Sequence, residues 1–524
     1  NSRSGIMLAA VDTMDGQRGF DAVIVCTSNP SQEAYWQRRL EETRGQACKP
    51  GALVVAVHED WAKDGAGNGL GTLYAYIKAR DKARGLGADG IDLDALIAKG
   101  GSVGLYHTAG KGTRLAPLPG SENNNKPGVK LPSLVSVTPG TERKEELTIL
   151  EAVIRQTGAY APVRGGRLSV FWGDQIFVPS AGHLSSGGYH ADILSLQGPM
   201  PNEQEWKEKG LEKYGLIAVN SSGEATQVEK VDYATAVSLL ASFGEVSSVG
   251  PSLGSFSVSV ELLTSLITEF SAELAGKTAK MDSDPHFWMP LTLIEETYVA
   301  VMTKKGEEAQ HATAHYKRMQ ALKARLSTDK GVFGCIDAGN SCYWWDFGML
   351  GMFVKNTMLT KAQTDEAAAL RRFLGIPESR LLDSEGAGAT LEDSVVLASS
   401  VKAGSVSGSV CSHLRCVEAQ VQDSVLINVT ARSVKAKGCV IYNVACEDGG
   451  DLELPDGSVL TNVFMPDREK LVMRSTTDTD GGKVFKTKLD INEYSFDEVY
   501  SMNAGSDVSL CYELGAKAHA AAAA

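Results

Sequence analysis

The sequence predicts an α/β protein with a mixed, mainly parallel sheet, followed by a second region of different architecture. Two observations lead to this fold class. Up to about residue 375, short apolar runs alternate with helical segments, which is typical of a parallel sheet with helices on both faces. From about Thr390, aliphatic residues instead recur every four to six residues among small and polar ones, without a helical period. We therefore divide the chain into residues 1–383, residues 384–516 and a low-complexity tail, residues 517–524.

The first elements read strand, helix, strand, helix. Apolar runs and a charged helical stretch predict strand 20–26, helix 32–43 and strand 52–57. A glycine-rich stretch, 64–73, then opens a helix that extends to about Lys82. Glycines at a helix N-terminus make a candidate pocket for an anion or a base, and Asn68 and Gly69 lie in it.

Later strands end in acidic residues. The apolar strand 168–172 ends in Gly173 and Asp174, and the extended stretch 331–345 ends at Asp346. Between them, 214–217 and 227–230 predict a hairpin around Gly223. Because ligands of open α/β sheets gather at the carboxyl ends of strands, the two aspartates are candidate functional residues.

Composition narrows the classes of partner. The 524 residues carry a formal net charge of −13 without a basic block, so nucleic acid and anionic membranes are poor partners. No apolar run approaches the ~20 residues that a membrane span needs. Nine cysteines at scattered spacing form no CxxC pair, which suits free thiols in a reducing compartment such as the cytoplasm or the plastid stroma.

The strongest functional signal is segment 104–132, GLYHTAGKGTRLAPLPGSENNNKPGVKLP. An apolar strand ends there in a turn of small residues, and Arg114 and Lys126 follow. Glycines at a strand exit let backbone N–H groups approach a phosphate, and nearby cations can neutralise a polyphosphate. The segment therefore predicts a nucleotide site, which the turn would form with Gly110, Lys111, Gly112 and Thr113.

Spacing excludes two common phosphate motifs. A Walker A loop continues as Gly-Lys-Ser/Thr, but Gly112 follows Lys111 here, and the dinucleotide fingerprint fails because Gly110-x-Gly112 continues as Thr-Arg-Leu. The segment resembles instead the signature of the sugar-1-phosphate nucleotidylyltransferases: a Gly-rich turn, Gly-Thr-Arg-Leu, a short loop and Lys-Pro. Ala109 departs from it, standing where that family usually has a second glycine.

The resemblance implies a Rossmann-like sheet of the GT-A-like nucleotidylyltransferase type and a set of catalytic residues. Arg114 and Lys126 would neutralise the phosphates, and Lys130 is a second candidate for the lysine. Asp174, in Gly-Asp-Gln-Ile-Phe, is similar to the aspartate of the family's Gly-Asp-Asn-Ile-Phe. Asp346 is similar to that of its Trp-x-Asp-x-Gly, with Met349 in place of the usual threonine. The two aspartates would bind one Mg²⁺, so we expect their carboxylates within about 6 Å of each other.

The resemblance also implies a sugar pocket. Tyr214-Gly215 and Glu229-Lys230 are similar to the Tyr-Gly and Glu-Lys pairs that contact the sugar hydroxyls and phosphate in relatives. The stretches FDAVIVCTSNPSQ and GNGLGTL resemble the fucose-1-phosphate guanylyltransferase branch, and Asn68 and Gly110 would lie near the base.

Residues 391–446 resemble the left-handed parallel β-helix that many nucleotidylyltransferases carry at the C-terminus. A β-sandwich is the alternative, but its strands would alternate strictly over six or more residues, and these do not. We expect a structural or oligomeric role for this region, including a homo-oligomer or an assembly formed through it. Its valines should point inward and its cations outward, namely Val395, Val401, Val421, Val425, Val429 and Val434 against Lys402, Arg432 and Lys435.

Together these features predict an enzyme that transfers a nucleotidyl group from a nucleoside triphosphate to a sugar 1-phosphate and releases pyrophosphate. UTP with glucose 1-phosphate is the first pair to consider because that activity is widespread, and GTP with fucose 1-phosphate is its rival. A non-catalytic subunit that binds nucleotide sugar or supports an assembly is an alternative of a different class, suggested by Ala109, Met349 and the Asn-rich loop 123–125. The catalytic and metal-binding candidates that are present favour the enzyme.

Overall fold

The computed structural model describes residues 3–61, 65–86, 90–137, 143–180, 188–241, 243–385, 388–446 and 450–523. In the first part of the chain the strands are β1 (Ala22–Thr27), β2 (Leu53–His58), β3 (Ser102–His107), β4 (Lys130–Ser136), β5 (Lys144–Thr148), β6 (Arg167–Trp172), β7 (Gln175–Val178), β8 (Tyr189–Ser195), β9 (Gly215–Asn220), β10 (Ala225–Glu229), β11 (Val246–Ser259), β12 (Gly331–Asp337) and β13 (Tyr343–Asp346).

The helices of this part are α1 (Arg3–Asp12), α2 (Pro30–Glu42), α3 (Gly67–Ala83), α4 (Leu93–Ala98), α5 (Leu118–Ser121), α6 (Ile149–Thr157), α7 (Glu203–Glu208), α8 (Tyr233–Leu240), α9 (Val260–Glu269), α10 (Ser271–Gly276), α11 (Met289–Thr292), α12 (Glu295–Lys304), α13 (Ala309–Lys323), α14 (Leu350–Leu359) and α15 (Asp365–Leu374). Short 3₁₀ turns lie at Thr113–Leu115, Lys126–Gly128, Gly158–Val163 and Leu211–Lys213, and a π-helical turn at Asp284–Trp288.

The central sheet confirms the predicted fold class, because it is mixed and mainly parallel. Strands β2, β1, β3 and β6 lie side by side and parallel, and β8 and β12 also pair in parallel. All six residues of β1 are buried, as expected for a strand covered by helices on both faces. The predicted strands at 20–26, 52–57 and 168–172 are β1, β2 and β6, the predicted helix 32–43 is α2, and the predicted hairpin is β9 with β10.

Strand β11 runs antiparallel to its neighbours β6, β8 and β9 in the central sheet, and it carries the β9–β10 hairpin. Its second half pairs with β6 and β8, whereas its first half continues to pair with β9. The register shifts between Ser252 and Phe256, around Gly254, whose φ of +76° favours glycine. A Cβ on Gly254 would lie 2.6 Å from Nε1 of Trp172, the last residue of β6. The β9–β10 hairpin therefore begins at the carboxyl edge of the parallel strands.

The C-terminal part forms a second multi-stranded sheet. Its strands and helices are β14 (Leu381–Leu382), β15 (Ala389–Glu392), β16 (Val395–Leu397), β17 (Ser400–Ser407), β18 (Val410–Gln422), β19 (Val425–Thr430), β20 (Ser433–Lys437), β21 (Val440–Ala445), β22 (Asp451–Glu453), β23 (Ser458–Met465), β24 (Glu469–Thr476), α16 (Gly481–Val484), α17 (Phe496–Asn503) and α18 (Val508–Ala523). Apart from the antiparallel pair β23–β24, the strands of this sheet pair in parallel.

A 15-residue offset relates these parallel strands. Val395 pairs with Val410, Val410 with Val425, and Val425 with Val440. The Ser424 backbone N–H donates to Ser409 Oγ at 3.1 Å, and the Cys439 N–H to Ser424 Oγ at 3.0 Å, each across 15 residues. Left-handed backbone recurs at the same spacing, at Asp393, Gly408, Asp423 and Gly438. The left-handed parallel β-helix stays a prediction, but the inward valines are confirmed: each is at most 2% exposed, whereas Lys402, Arg432 and Lys435 are exposed.

The hydrophobic core crosses the predicted domain boundary at residue 383. One buried cluster contains Leu131 and Trp345 from the first part together with Val425 and Tyr442 from the second. Residues 517–523 of the predicted low-complexity tail belong to α18, and His519 among them is 5% exposed with Thr430 and Asn443 as ring partners. Small residues allow this, because a Cβ on Gly515 would already lie 3.1 Å from Phe464. No helix in the described ranges is long and apolar enough to cross a membrane.

Candidate active site

The turn after β3 brings two cation-bearing segments together. Gly112 has a φ of +62°, which glycine adopts without strain, and a Cβ there would lie 2.9 Å from Cβ of Lys126. The glycine thus lets the turn that holds Arg114 approach the turn Lys126–Gly128. Arg114 itself is exposed, and its Nη1 lies 3.5 Å from Met349 Sδ.

Lys126, Asp174 and Asp346 meet at the carboxyl edge of the sheet. The Lys126 ammonium forms an ion pair with Asp174 Oδ2, and both side chains are less than a fifth exposed. Gly348 lies between the two aspartates: a Cβ there would be 2.7 Å from Asp174 Oδ2 and 3.1 Å from Asp346 Oδ1. These two oxygens therefore lie within about 6 Å of each other. Their binding of one cation, which would bring two ligand oxygens to about 4–5 Å or less, stays a prediction.

The electrostatics of Asp346 show how close these groups are. Burial raises the pKa of Asp346 above its usual value, and the Asp174 charge raises it further. The Gly348 N–H, which donates to Asp346 Oδ1 at 2.6 Å, opposes this shift, as do Lys126 and Arg114. Arg114, Lys126 and Asp174, from other parts of the sequence, thus all act on Asp346.

Lys130, the second candidate lysine, lies outside this cluster. Its ammonium is buried and pairs with Glu122 at 2.8 Å, and it lies 5.0 Å from the ring centroid of Tyr512. Glu122 also accepts hydrogen bonds from the hydroxyl groups of Tyr512 and Tyr442. This arrangement makes Lys130 part of the contact between the signature segment and the C-terminal region, and it gives no support to a catalytic role.

Lys111 also points toward the C-terminal region. Its ammonium pairs with Asp497 at 2.9 Å and lies 4.8 Å from the ring centroid of Tyr500. Thr113 is covered as well, since a Cβ on Gly481 would be 2.6 Å from its carbonyl oxygen. Phosphate binding by Lys111 and Thr113 stays a prediction, and in this structure both residues contact the C-terminal helices.

The predicted base pocket at the start of α3 is closely packed against segment 281–287. The Asn68 N–H donates to Asp282 Oδ1 at 3.0 Å, and its side-chain oxygen accepts from the Ser283 N–H at 2.6 Å. The Gly69 N–H donates to the Met281 carbonyl at 2.9 Å. Nucleotide contacts of Asn68 and Gly69 stay predictions, whereas their present hydrogen bonds position residues 281–284.

Two aromatic residues near this edge were not predicted. His107, at the end of β3, stacks on Trp172 with ring centroids 5.3 Å apart, and its Nε2 lies 2.8 Å from Thr72 Oγ1. Burial lowers the pKa of His107 to about 4, so the ring is neutral at pH 7. Both residues end strands of the parallel sheet, which is a positional signal that the sequence alone offers.

The predicted sugar residues lie together at the base of the β9–β10 hairpin. Gly215 pairs with Glu229 across the hairpin, and a Cβ on Gly215 would be 2.6 Å from Glu229 Oε2. The Lys230 ammonium lies 3.2 Å from Glu229 Oε1, and the Tyr214 side chain is 47% exposed. The structure thus brings Tyr214, Gly215, Glu229 and Lys230 together, while their binding of a sugar stays a prediction.

The fold and this edge define a class: a mixed α/β protein with a mainly parallel, Rossmann-like sheet, two cations and two aspartates at its carboxyl edge, and a second multi-stranded sheet. Within the described residues, no three His, Cys, Asp or Glu side chains group as a metal site, so the carboxylate set here is the pair Asp174 and Asp346.

Comparisons with known proteins add little to this class. No family model matches the chain, and no curated protein matches it. Among solved structures it is similar to HddC from Yersinia pseudotuberculosis, at 11% identity and a TM-score of 0.21 over 64% of this chain and 97% of that one. The same protein complexed with GMP-PN is 12% identical, with a TM-score of 0.20 over 64% of this chain and 96% of that one. A third similar structure is that of a Bacillus anthracis protein described as a putative glucose-1-phosphate thymidylyltransferase, in complex with a sucrose. It is 12% identical, with a TM-score of 0.20 over 66% of this chain and 96% of that one. Similarity this low assigns neither activity nor substrate.

Proposed function

We propose that this chain transfers a nucleotidyl group from a nucleoside triphosphate to a sugar 1-phosphate. One observation carries the proposal: Arg114, Lys126, Asp174 and Asp346 converge at the carboxyl edge of the sheet. Two cations beside a carboxylate pair suit a reaction in which two phosphate-bearing anions must meet.

In the proposed reaction, an oxygen of the sugar 1-phosphate attacks the α-phosphorus of the triphosphate. The bond from that phosphorus to the bridging oxygen breaks, and pyrophosphate leaves with the electron pair. Arg114 is exposed and offers a planar fork for the pyrophosphate oxygens. Lys126 supplies a point charge at the α-phosphate, where negative charge builds up in the transition state.

The carboxylates fit a divalent cation such as Mg²⁺. Asp174 and Asp346 would hold it, since oxygens of both carboxylates lie beside Gly348 and burial disfavours the charge of Asp346. A bound Mg²⁺ would neutralise phosphate charge, and its other ligands would come from phosphates and water. Lys126 forms an ion pair with Asp174 and so orients that carboxylate in the free protein.

The first substrates to test are UTP with glucose 1-phosphate and GTP with fucose 1-phosphate. Each of the four common nucleoside triphosphates is mixed with each sugar 1-phosphate and Mg²⁺, and pyrophosphate release is measured. We expect release with one combination, and a loss of about 10²-fold or more in Lys126→Ala. Lys402→Ala, which removes an exposed cation far from this edge in the sequence, is the matched control and should match the wild type.

Absence of pyrophosphate release from every combination would refute the proposal and favour the non-catalytic alternative. Release that is unchanged in Lys126→Ala would retain the activity but refute the site.

A further inference from the structure

A buried amide beside the predicted sugar residues has no partner. Gln227, on β10, is 1% exposed, and within the described part of the chain neither its amide nitrogen nor its amide oxygen has a hydrogen-bond partner. An unpaired buried polar group destabilises a fold, so its persistence needs a reason other than packing. A ligand that supplies both a donor and an acceptor is such a reason.

The side chain faces the space in front of Gly215. Gln227 and Glu229 are two residues apart on β10 and therefore share one face of the hairpin. The position that a Cβ of Gly215 would occupy lies 3.5 Å from Gln227 Nε2 and 2.6 Å from Glu229 Oε2. Because glycine has no Cβ, the Glu229 carboxylate and the Gln227 amide both come close to the backbone of Gly215.

A third polar group, Asp284, borders the same cluster. Burial raises the pKa of Asp284, and the nearby Glu229 charge raises it further. Gln227 lies close enough to lower that pKa in part, although its amide does not reach hydrogen-bond geometry. Asp284 begins the π-helical turn Asp284–Trp288, a rare conformation that is frequent at functional sites. The Asn68 side chain holds this turn in place through the Ser283 N–H.

The position of this cluster in the sheet relates it to the phosphate site. Pro251 of β11 pairs with Leu216, directly after Gly215, and Gly254 three residues later contacts Trp172 at the end of β6. Asp174 follows Trp172 by two residues. The cluster therefore lies beside the carboxyl edge where the phosphate would bind.

We propose that Gln227 and Asp284 read a pair of hydroxyl groups on the sugar and so set which sugar 1-phosphate the protein accepts. The amide offers one donor and one acceptor, and the carboxyl group beside it offers a second site for the neighbouring hydroxyl. A site built to hydrogen-bond hydroxyl groups rejects an analogue that lacks one, because its buried polar groups are then left unpaired. This inference rests on the proposed function for its substrate class.

Gln227→Met tests the inference, because methionine keeps the length of the side chain and removes both polar atoms. We expect kcat/KM to fall at least about tenfold for the preferred sugar 1-phosphate, while KM for the triphosphate stays unchanged. Selectivity between glucose 1-phosphate and fucose 1-phosphate should narrow by a similar factor, and Asp284→Asn should also alter it. The melting temperature of Gln227→Met should be unchanged or higher, since the amide is unpaired in the free protein.

Gln197→Met is the matched control. Gln197 is 8% exposed, but its amide donates to Ser195 Oγ at 2.6 Å and accepts from Ser248 Oγ at 2.6 Å. This variant should lower the melting temperature and leave the sugar selectivity unchanged. A lower melting temperature and unchanged selectivity in Gln227→Met would overturn the inference, because that amide would then have a structural role.

Calorimetric titration with glucose 1-phosphate and with fucose 1-phosphate separates this inference from the proposed function. If the wild type releases no pyrophosphate but binds one of them, and Gln227→Met binds it at least about tenfold more weakly, the catalytic proposal fails and the inference holds. Turnover in the wild type with equal kcat/KM in Gln227→Met overturns the inference and leaves the proposed function intact. Binding of neither sugar phosphate overturns the inference as well.

Discussion

Replacing Asp346 with asparagine should make the protein more stable and nearly inactive. Asp346 and Asp174 present carboxylate oxygens within about 6 Å of each other, where two unit charges repel by about 3 kcal/mol at an effective dielectric constant of 20. Asp346 is only half-buried, and Lys126 and Arg114 offset part of this repulsion, so we expect a net relief of about 1 kcal/mol. For a chain of this length, that raises the melting temperature by about 1–2 °C.

The stabilisation should depend on pH. Because the pKa of Asp346 is raised in the fold, the folded state favours the protonated carboxyl, and ionisation above that pKa costs stability. The asparagine variant avoids this cost, so its advantage is expected at neutral pH. The advantage should shrink as the pH falls through the raised Asp346 pKa and vanish below about 3.9, the ordinary aspartate value, where the carboxyl is neutral in both the folded and the unfolded state. Scanning calorimetry of both proteins at neutral pH and at about pH 3 measures the difference.

Two further measurements connect the stability change to function. Mg²⁺ should raise the melting temperature of the wild type more than that of the variant, and pyrophosphate release by the variant should be lower by about 10²-fold or more. A variant that is less stable than the wild type at neutral pH would refute the reasoning. It would show that the attraction of the Asp346 charge to the Gly348 N–H, Lys126 and Arg114 outweighs its repulsion from Asp174.

Three other predictions concern Arg114, the buried pair of His413 and Glu146, and the C-terminal region. Arg114→Ala should lower pyrophosphate release by about 10²-fold with an unchanged melting temperature, and near wild-type release would exclude Arg114 from the site. His413→Gln should destabilise the fold most between about pH 4.5 and 6.5, where the buried pair of His413 and Glu146 is fully charged. Pairing lowers the Glu146 pKa to about 2 and raises the pKa of His413. The stabilisation from the pair therefore falls as the pH approaches 2, and it also falls as the pH rises through the His413 pKa. Equal losses in melting temperature at pH 6 and pH 9 would contradict this. Truncation after Asp383 should give an aggregating, inactive product, because Glu122 would lose its partners Tyr442 and Tyr512. Size-exclusion chromatography and pyrophosphate release test this. A soluble, active fragment would show that the core is not shared.

Local pattern predicted the elements of the sheet and the convergence at its edge. The apolar runs of β1, β2 and β6 are long enough to identify buried strands, and strands that run parallel place their ends on one edge. Asp174, which follows β6, fits this argument, and it was predicted to lie near Asp346 although 172 residues separate them. Asp346 itself ends β13, which lies outside the central sheet and pairs antiparallel with β7, so that Asp346 lies opposite Gln175. Gln227 was missed because an unpaired amide is a property of the packed structure, which no spacing reveals.

The sequence did not predict contacts between segments that are far apart in the chain. Lys126 and Lys130 are four residues apart in the same loop, and only the position of Glu122 beneath Lys130 separates a buried structural lysine from one at the edge. Lys111 matched the phosphate-binding pattern, yet its partner Asp497 lies 386 residues away. The burial of His519 in the alanine-rich tail could not be predicted for the same reason, because it depends on contacts with Thr430 and Asn443.

Because paired residues of the second sheet are 15 residues apart, we expect insertions and deletions there to be tolerated only in multiples of 15 residues. Insertion or deletion of a full offset would add or remove one layer and keep every serine hydroxyl opposite the backbone N–H that it accepts from. A change of any other length would move the left-handed corners at Asp393, Gly408, Asp423 and Gly438 out of line with one another. Related chains should therefore differ in this region by whole 15-residue units. They would have more or fewer of the parallel strands, while the strands that they keep would pair in the same register.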